Sequence, residues 1–140
     1  MSITNDIPLQ LIAEAQAAKA RSLIHWLAGD LLDWTEASVA TVERLAGQLH
    51  DGAHEKCLAE ADMRKEDVAK LLGWYMGEVF RRCRGGHWQC GETGKPGEMP
   101  IVVFPGRKRQ INPLFEARQR VVIGPAHDLE AYYSSVTASE

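Results

Sequence analysis

The 140-residue chain predicts an α+β fold: a helical amino-terminal half packed on a small antiparallel sheet of two or three strands, with two carboxy-terminal helices. Three observations predict it. Around the segment LLGWYMGEVFRRCRGGHW, Val68, Leu71, Leu72, Tyr75, Met76, Val79, Phe80 and Cys83 recur at three- and four-residue steps. That is the period of one helix face, so this segment reads as the spine of the core. After Gly86 the pattern shortens to HWQC and MPIVVFP, two aromatic or β-branched runs separated by the turn-forming GETGKPGE, as in a hairpin or small sheet. Finally, Asn112-Pro113 pairs a capping residue with a proline suited to the first helical position.

Taken in order, residues 8–29 read as a first helix whose apolar side is Leu11, Ile12, Ala15, Ala18, Leu23, Trp26 and Leu27, with several alanines adding helix propensity. A second helix starts at Thr35 as cap, carries Val39, Val42, Leu45, Ala46 and Leu49, and stops at Asp51-Gly52. Residues 53–63 have no clear period. The spine helix begins between Asp62 and Glu66 and ends before Gly85-Gly86, where glycine suits a left-handed cap. Gly73 and Gly77 leave a strip along it that another element can approach closely. Arg107, Lys108 and Arg109 follow as an exposed loop, and Asn112 then opens a helix through Leu114, Phe115, Arg118 and Val121. A last helix, residues 128–136, turns Leu129, Tyr132, Tyr133 and Val136 inward, and the terminal TASE frays.

Length and composition, with 45% hydrophobic and 25% charged residues, fit one globular domain spanning residues 1–140. The amino terminus has no basic segment leading into an apolar run, and no stretch approaches the roughly 20 apolar residues that span a bilayer. A cytoplasmic protein without a membrane partner is expected, and three cysteines suit a reducing compartment. Charge is uneven. Residues 1–80 hold 13 Asp/Glu against 7 Lys/Arg, while residues 81–140 hold 6 against 9, which polarises the chain and biases its choice of partner.

Candidate chemistry is sparse. Cys83, His87 and Cys90 are zinc-ligand types, but a structural site needs a fourth ligand, and strand alternation sends His87 and Cys90 to opposite faces. The expectation is therefore no metal and no cofactor, with both cysteines acting as small buried hydrophobes. His50 and His54 are separated by the helix-breaking Asp51-Gly52, and the segment lacks the glutamate of a zinc-protease motif. No phosphate loop or dinucleotide fingerprint occurs. A pI near 6.0 argues against nucleic acid despite the basic residues Arg81, Arg82, Arg84 and Arg107 to Arg109. Glu78, at the edge of the apolar stripe, acts as an acid or base if burial raises its pKa, or else pairs with Arg82, Arg118 or Arg120. Trp74 falls opposite the stripe, where an exposed tryptophan needs a cover, whether the first helix or a partner.

The order LLDWTEASVATVERL, LLGWYMGEVFRRCRGGHW, then INPLFEARQRVVIGPAHDLEAYY resembles a group of small bacterial domains of unknown function. Their pattern is a Leu-Gly-x-aromatic-x-Gly-Glu-Val helix followed by Gly-Gly-x-Trp and later an Asn-Pro. Its residues here are Leu72, Gly73, Tyr75, Gly77, Glu78, Val79, Gly85, Gly86, Trp88, Asn112 and Pro113, over about residues 30–136. Such domains look like proteins found near secretion and toxin loci, some of which are immunity proteins that bind and block a cognate toxin. The resemblance implies no catalytic residues. The expected function is thus a non-enzymatic binding protein that meets a toxin or other protein partner through Trp34, Glu36, Glu43, Asp51 and Trp74. An alternative is a small-ligand or metal-dependent enzyme or sensor using Glu78, His87 and Arg118 in a cleft. A helix-mediated homodimer is a third arrangement.

Overall fold

Every residue from Leu71 to Phe80 is buried, so the helix carrying them is covered on all sides. This central element, in a computed structural model that describes residues 8–91, 98–104 and 110–138, is helix α4, Lys65–Arg84. It matches the expected spine as one unbroken rod. Three helices precede it: α1 (Leu9–Ala28), α2 (Ser38–His50) and the short α3 (Glu55–Glu60). Strands β1 (His87–Cys90), β2 (Pro100–Val103) and β3 (Gln110–Ile111) follow, then α5 (Pro113–Val122), a single 3₁₀ turn at Pro125–His127, and α6 (Leu129–Thr137). The fold is α+β, and among the described residues no helix is long and apolar enough to cross a membrane.

The ends of α4 follow from local chemistry. Asp67 in its first turn accepts from the Arg64 backbone N–H at 3.0 Å, while Arg81, Arg82 and Arg84 occupy the last turn, so both ends complement the helix dipole. Gly85 and Gly86 then adopt φ of 83° and 106°, conformations open to glycine at little cost, and turn the chain into β1. The three strands form one antiparallel sheet in the order β1-β2-β3, with Trp88 opposite Val102 and Val102 opposite Ile111. Most of the GETGKPGE connection and the Arg107 to Arg109 run lie outside the described residues, as does the end of the TASE tail.

Close approach explains how α4 is covered. A Cβ at Gly73 would stand 2.6 Å from Leu114 Cα and 2.9 Å from Pro113 O, so the α5 backbone lies directly against the helix. At Gly77 a Cβ would fall on the Trp88 ring. The strip at Gly73 and Gly77 thus admits neighbours on the side expected to be polar. Trp74 on that side is buried rather than exposed, its ring 4.9 Å from Trp88. The Trp88 ring of strand β1 supplies aromatic cover there, and α1 also packs against α4.

Helix α1 packs in a different phase from the one its periodicity suggests. Ala13, Ala17, Ala20 and Ile24 are buried, whereas Leu11 and Trp26 are 54% and 61% exposed. Ile12, Leu23 and Leu27 sit at the margin of the core. The sequence carries two stripes, one of larger residues and one of alanines, and the alanine stripe lets two backbones approach, so α1 turns it inward against α4. Other boundaries shift less. Thr35 precedes α2 by a turn and accepts from Ser38 through its carbonyl. Asn112 precedes α5 with Pro113 at the first helical position, but its side chain makes no capping bond and its Oδ1 is buried without a partner. Asp128 does cap α6, accepting from the Ala131 N–H at 2.8 Å. On the inner side Phe80 contacts Tyr133 and Phe104 at centroid distances of 4.1 and 5.9 Å.

Because backbone rather than a flexible side chain faces Gly73, Gly73→Ala should lower stability by about 2 kcal/mol, the cost of overpacking. At an open helix position the same change stabilises by about 1 kcal/mol. Denaturant unfolding reads the sign, and a rise in stability would refute this packing.

Candidate partner-binding surface

Where α4 ends, the linker between α1 and α2 crosses it, and this crossing gathers aromatic and charged side chains near the surface. Trp34 lies in this linker with φ of 69°, an outlier conformation for a bulky residue. Its backbone N–H donates to Tyr75 Oη at 2.9 Å, and its ring stacks on Tyr75 at 5.1 Å. The Arg82 guanidinium lies over the indole at 3.8 Å and Arg21 at 5.0 Å, a cation–π arrangement. Tyr75 Oη also shares a hydrogen bond with Ser38 Oγ at 2.7 Å. Burial pushes the Tyr75 phenol above its ordinary value despite these bonds.

Glu36 belongs to the same surface. Arg84 donates to both of its oxygens, at 2.8 and 3.1 Å, and Tyr133 Oη donates to it as well. The Arg84 hydrogen bond holds the Glu36 carboxyl below the ordinary carboxylate value, with Tyr133 adding to the effect. Burial and the neighbouring Glu36 carboxylate drive the Tyr133 phenol strongly upward. Cys83, expected among buried hydrophobes, is exposed, and its thiol donates to the Trp34 carbonyl at 3.7 Å. Burial of its sulfur and the Glu36 charge raise its pKa, which keeps it a thiol at neutral pH and so a poor nucleophile. Cys90 is half-buried.

The other expected contact residues separate. Glu43 is an internal tie, because Arg120 Nε donates to both its oxygens at 3.0 and 2.9 Å and the Leu129 N–H to one at 2.9 Å. Its partner lies 77 residues away in the sequence, beyond any local signal. Asp51 is exposed at the far end of α2, roughly 20 Å from Glu36 by helix rise. Trp74 is enclosed as described. Trp34 and Glu36 therefore share a surface that Glu43, Asp51 and Trp74 do not join. Arg82 and Arg84 complete it. The arginines were visible in the sequence as basic residues, but nothing local linked them to Trp34.

The residues of the enzyme alternative do not converge. Glu78 has no exposed surface and accepts from Arg81 at 2.9 and 3.0 Å, Arg82 at 3.1 Å, Trp88 Nε1 at 2.8 Å and Gln10 at 3.0 Å. Burial alone would raise its pKa, but the hydrogen bonds from Arg81, Trp88 and Gln10 outweigh burial and hold the carboxyl below its ordinary value of 4.5. The pairing with Arg82 follows the expected helical step. Pairing with Arg118 or Arg120 does not occur, since Arg120 serves Glu43. His87 is exposed on β1, and Arg118 lines a cleft with Arg64, Lys70 and Leu114 that contains neither Glu78 nor His87. Among the described residues no three His, Cys, Asp or Glu side chains group as metal ligands would. His50 and His54 instead meet the Val121 carbonyl and Gln48, each at 2.9 Å.

No protein family, curated protein or solved structure matches the chain.

A carboxyl whose folded pKa lies below its unfolded value stabilises the fold above the unfolded value and ceases to do so as pH falls through the folded one. Glu78→Gln should therefore cost about 3 kcal/mol at pH 7. Its deficit relative to the unsubstituted protein should shrink as pH drops below 4.5. Denaturant unfolding between pH 7 and pH 3 measures both, and a deficit independent of pH would contradict the assignment.

Proposed function

We propose that the chain is a non-enzymatic binding protein of the immunity type, which neutralises a cognate bacterial toxin in the cytoplasm by covering its active site. The observation that carries this reading is Trp34. Its left-handed backbone stores strain of about 1–3 kcal/mol, and strain of this kind collects at ligand clamps and binding loops. Here the surroundings fix it through the Tyr75 hydroxyl, the Tyr75 ring and the Arg82 guanidinium. The result is a half-exposed tryptophan ordered before any partner arrives, flanked by Arg82 and Arg84 on the surface. Tryptophan, tyrosine and arginine dominate the energetic centres of protein interfaces, and ordering them in advance reduces the entropy lost on association.

The resemblance to toxin-locus domains supplies the kind of partner. The fixed surface supplies a place to bind it, and its chemistry differs from an acidic face, because Glu36 is neutralised by Arg84. The reactive role considered for Glu78 is disfavoured by its four donors and lowered pKa, which leave it neither accessible nor poised to exchange a proton at neutral pH.

Calorimetric titration with the product of the gene directly upstream tests this reading. Association at micromolar concentration or tighter is expected, with Trp34→Ala weakening it by at least 2 kcal/mol, about 30-fold. Arg82→Ala, at an exposed position, should also weaken it. No association of the unsubstituted chain would overturn the proposal.

A further inference from the structure

The opposite end of α4, roughly 30 Å away by helix rise, carries a second concave surface of different chemistry. Two clefts of about 180 and 310 Å³ meet there, sharing Asp67 and Lys70 as a common wall. One reaches α1 at Gln16 and Lys19, the other α5 at Leu114 and Arg118. Together they make a groove across three helices. Two interhelical spacings give it a length of roughly 20 Å, which an extended segment of about six residues spans.

Its charge runs against that of the molecule. The lining includes the cations Lys19, Arg64, Lys70 and Arg118 against Glu66 and Asp67, a local balance of +2 on a chain of net −3. Asp67 is already engaged by Arg64, through its backbone N–H at 3.0 Å and its side chain at 3.6 Å. Among the described residues, Lys19, Lys70 and Arg118 have no carboxylate partner. The positive end of the α4 dipole lies beneath them. Between the cations the floor is apolar: Met63 and Leu71 on one side of Lys70, Met99 and Leu114 on the other. Methionine adapts to side chains of varied shape, and Met99 is 39% exposed.

We propose that the groove from Lys19 across Lys70 to Arg118 is a second docking site. It takes an extended acidic peptide segment of a partner protein, with carboxylates on the three cations and an apolar side chain on the methionine and leucine floor. Charge complementarity selects the acidic peptide. The apolar floor and the rim carboxylate of Glu66 favour a peptide over a nucleic acid, whose closely spaced phosphates would meet that carboxylate and leave the floor unfilled. The site is independent of the Trp34 surface.

Fluorescence anisotropy with a labelled octapeptide of alternating glutamate and leucine tests the proposal on the full chain. Saturable binding is expected, weakening as salt is raised, and falling about tenfold or more in the Lys70→Glu/Arg118→Glu double variant. Both positions are exposed, so the fold is not at stake. Trp34→Ala should bind the octapeptide unchanged, which separates failure here from failure at the other surface. The proposal is overturned by absence of saturable binding or by indifference to the double variant. Equal binding of octaglutamate, which leaves the floor unused, or of a single-stranded oligonucleotide would overturn it too.

Discussion

A carboxylate with no exposed surface sits in the wall of the central helix, and the arrangement of the neighbouring elements depends on how it is satisfied. Glu78 draws donors from three directions: Gln10 on α1, Arg81 and Arg82 on α4 itself, and the Trp88 indole on β1. A buried charge left unpaired would cost several kcal/mol, so each donor that meets it fixes the element bearing it. The Trp88 bond is the most consequential. It holds the indole over Gly77 and against Trp74, and thereby sets where β1, and through it β2 and β3, lie on the helix.

A second carboxylate, half-buried, works on another flank. Glu43 of α2 receives Arg120 from α5 and the Leu129 N–H that opens α6, joining α2 to both carboxy-terminal helices. Arg120 Nη1 remains buried without a hydrogen-bond partner, so this tie is less completely satisfied than the one at Glu78. An apolar rod thus acquires a defined set of neighbours from two ionic anchors, each specifying orientation that hydrophobic burial alone leaves loose. The two surfaces proposed for recognition lie toward the two ends of α4.

Elements with strong local signals were legible in the sequence. The span of α4, the change of period into β1 and β2, the proline at the start of α5 and the Asp128 start of α6 all rest on interactions within a few residues. The close approach at Gly73 and Gly77 was legible too, because missing side chains one turn apart have few other uses. What escaped depended on partners distant in sequence. Periodicity could not choose between the two stripes of α1, since alanines gain burial only when another backbone comes near. A helical wheel placed Trp74 on a polar side because it does not contain the Trp88 ring. Glu43 resembled a surface acid until Arg120 was beside it. Trp34 gave no hint of its left-handed backbone, which tryptophan does not favour intrinsically and which Tyr75 and Arg82 impose. The two residues of β3 are too short for a period to register.

Titrating the Glu78 carboxyl carbon by ¹³C NMR distinguishes an ionised structural anchor from a proton-exchanging group. An inflection below the ordinary 4.5 is expected, with the Trp88 indole proton shifting over the same pH interval because the two share a hydrogen bond. An inflection raised toward neutrality, or an indole signal that ignores the titration, would contradict the anchor role.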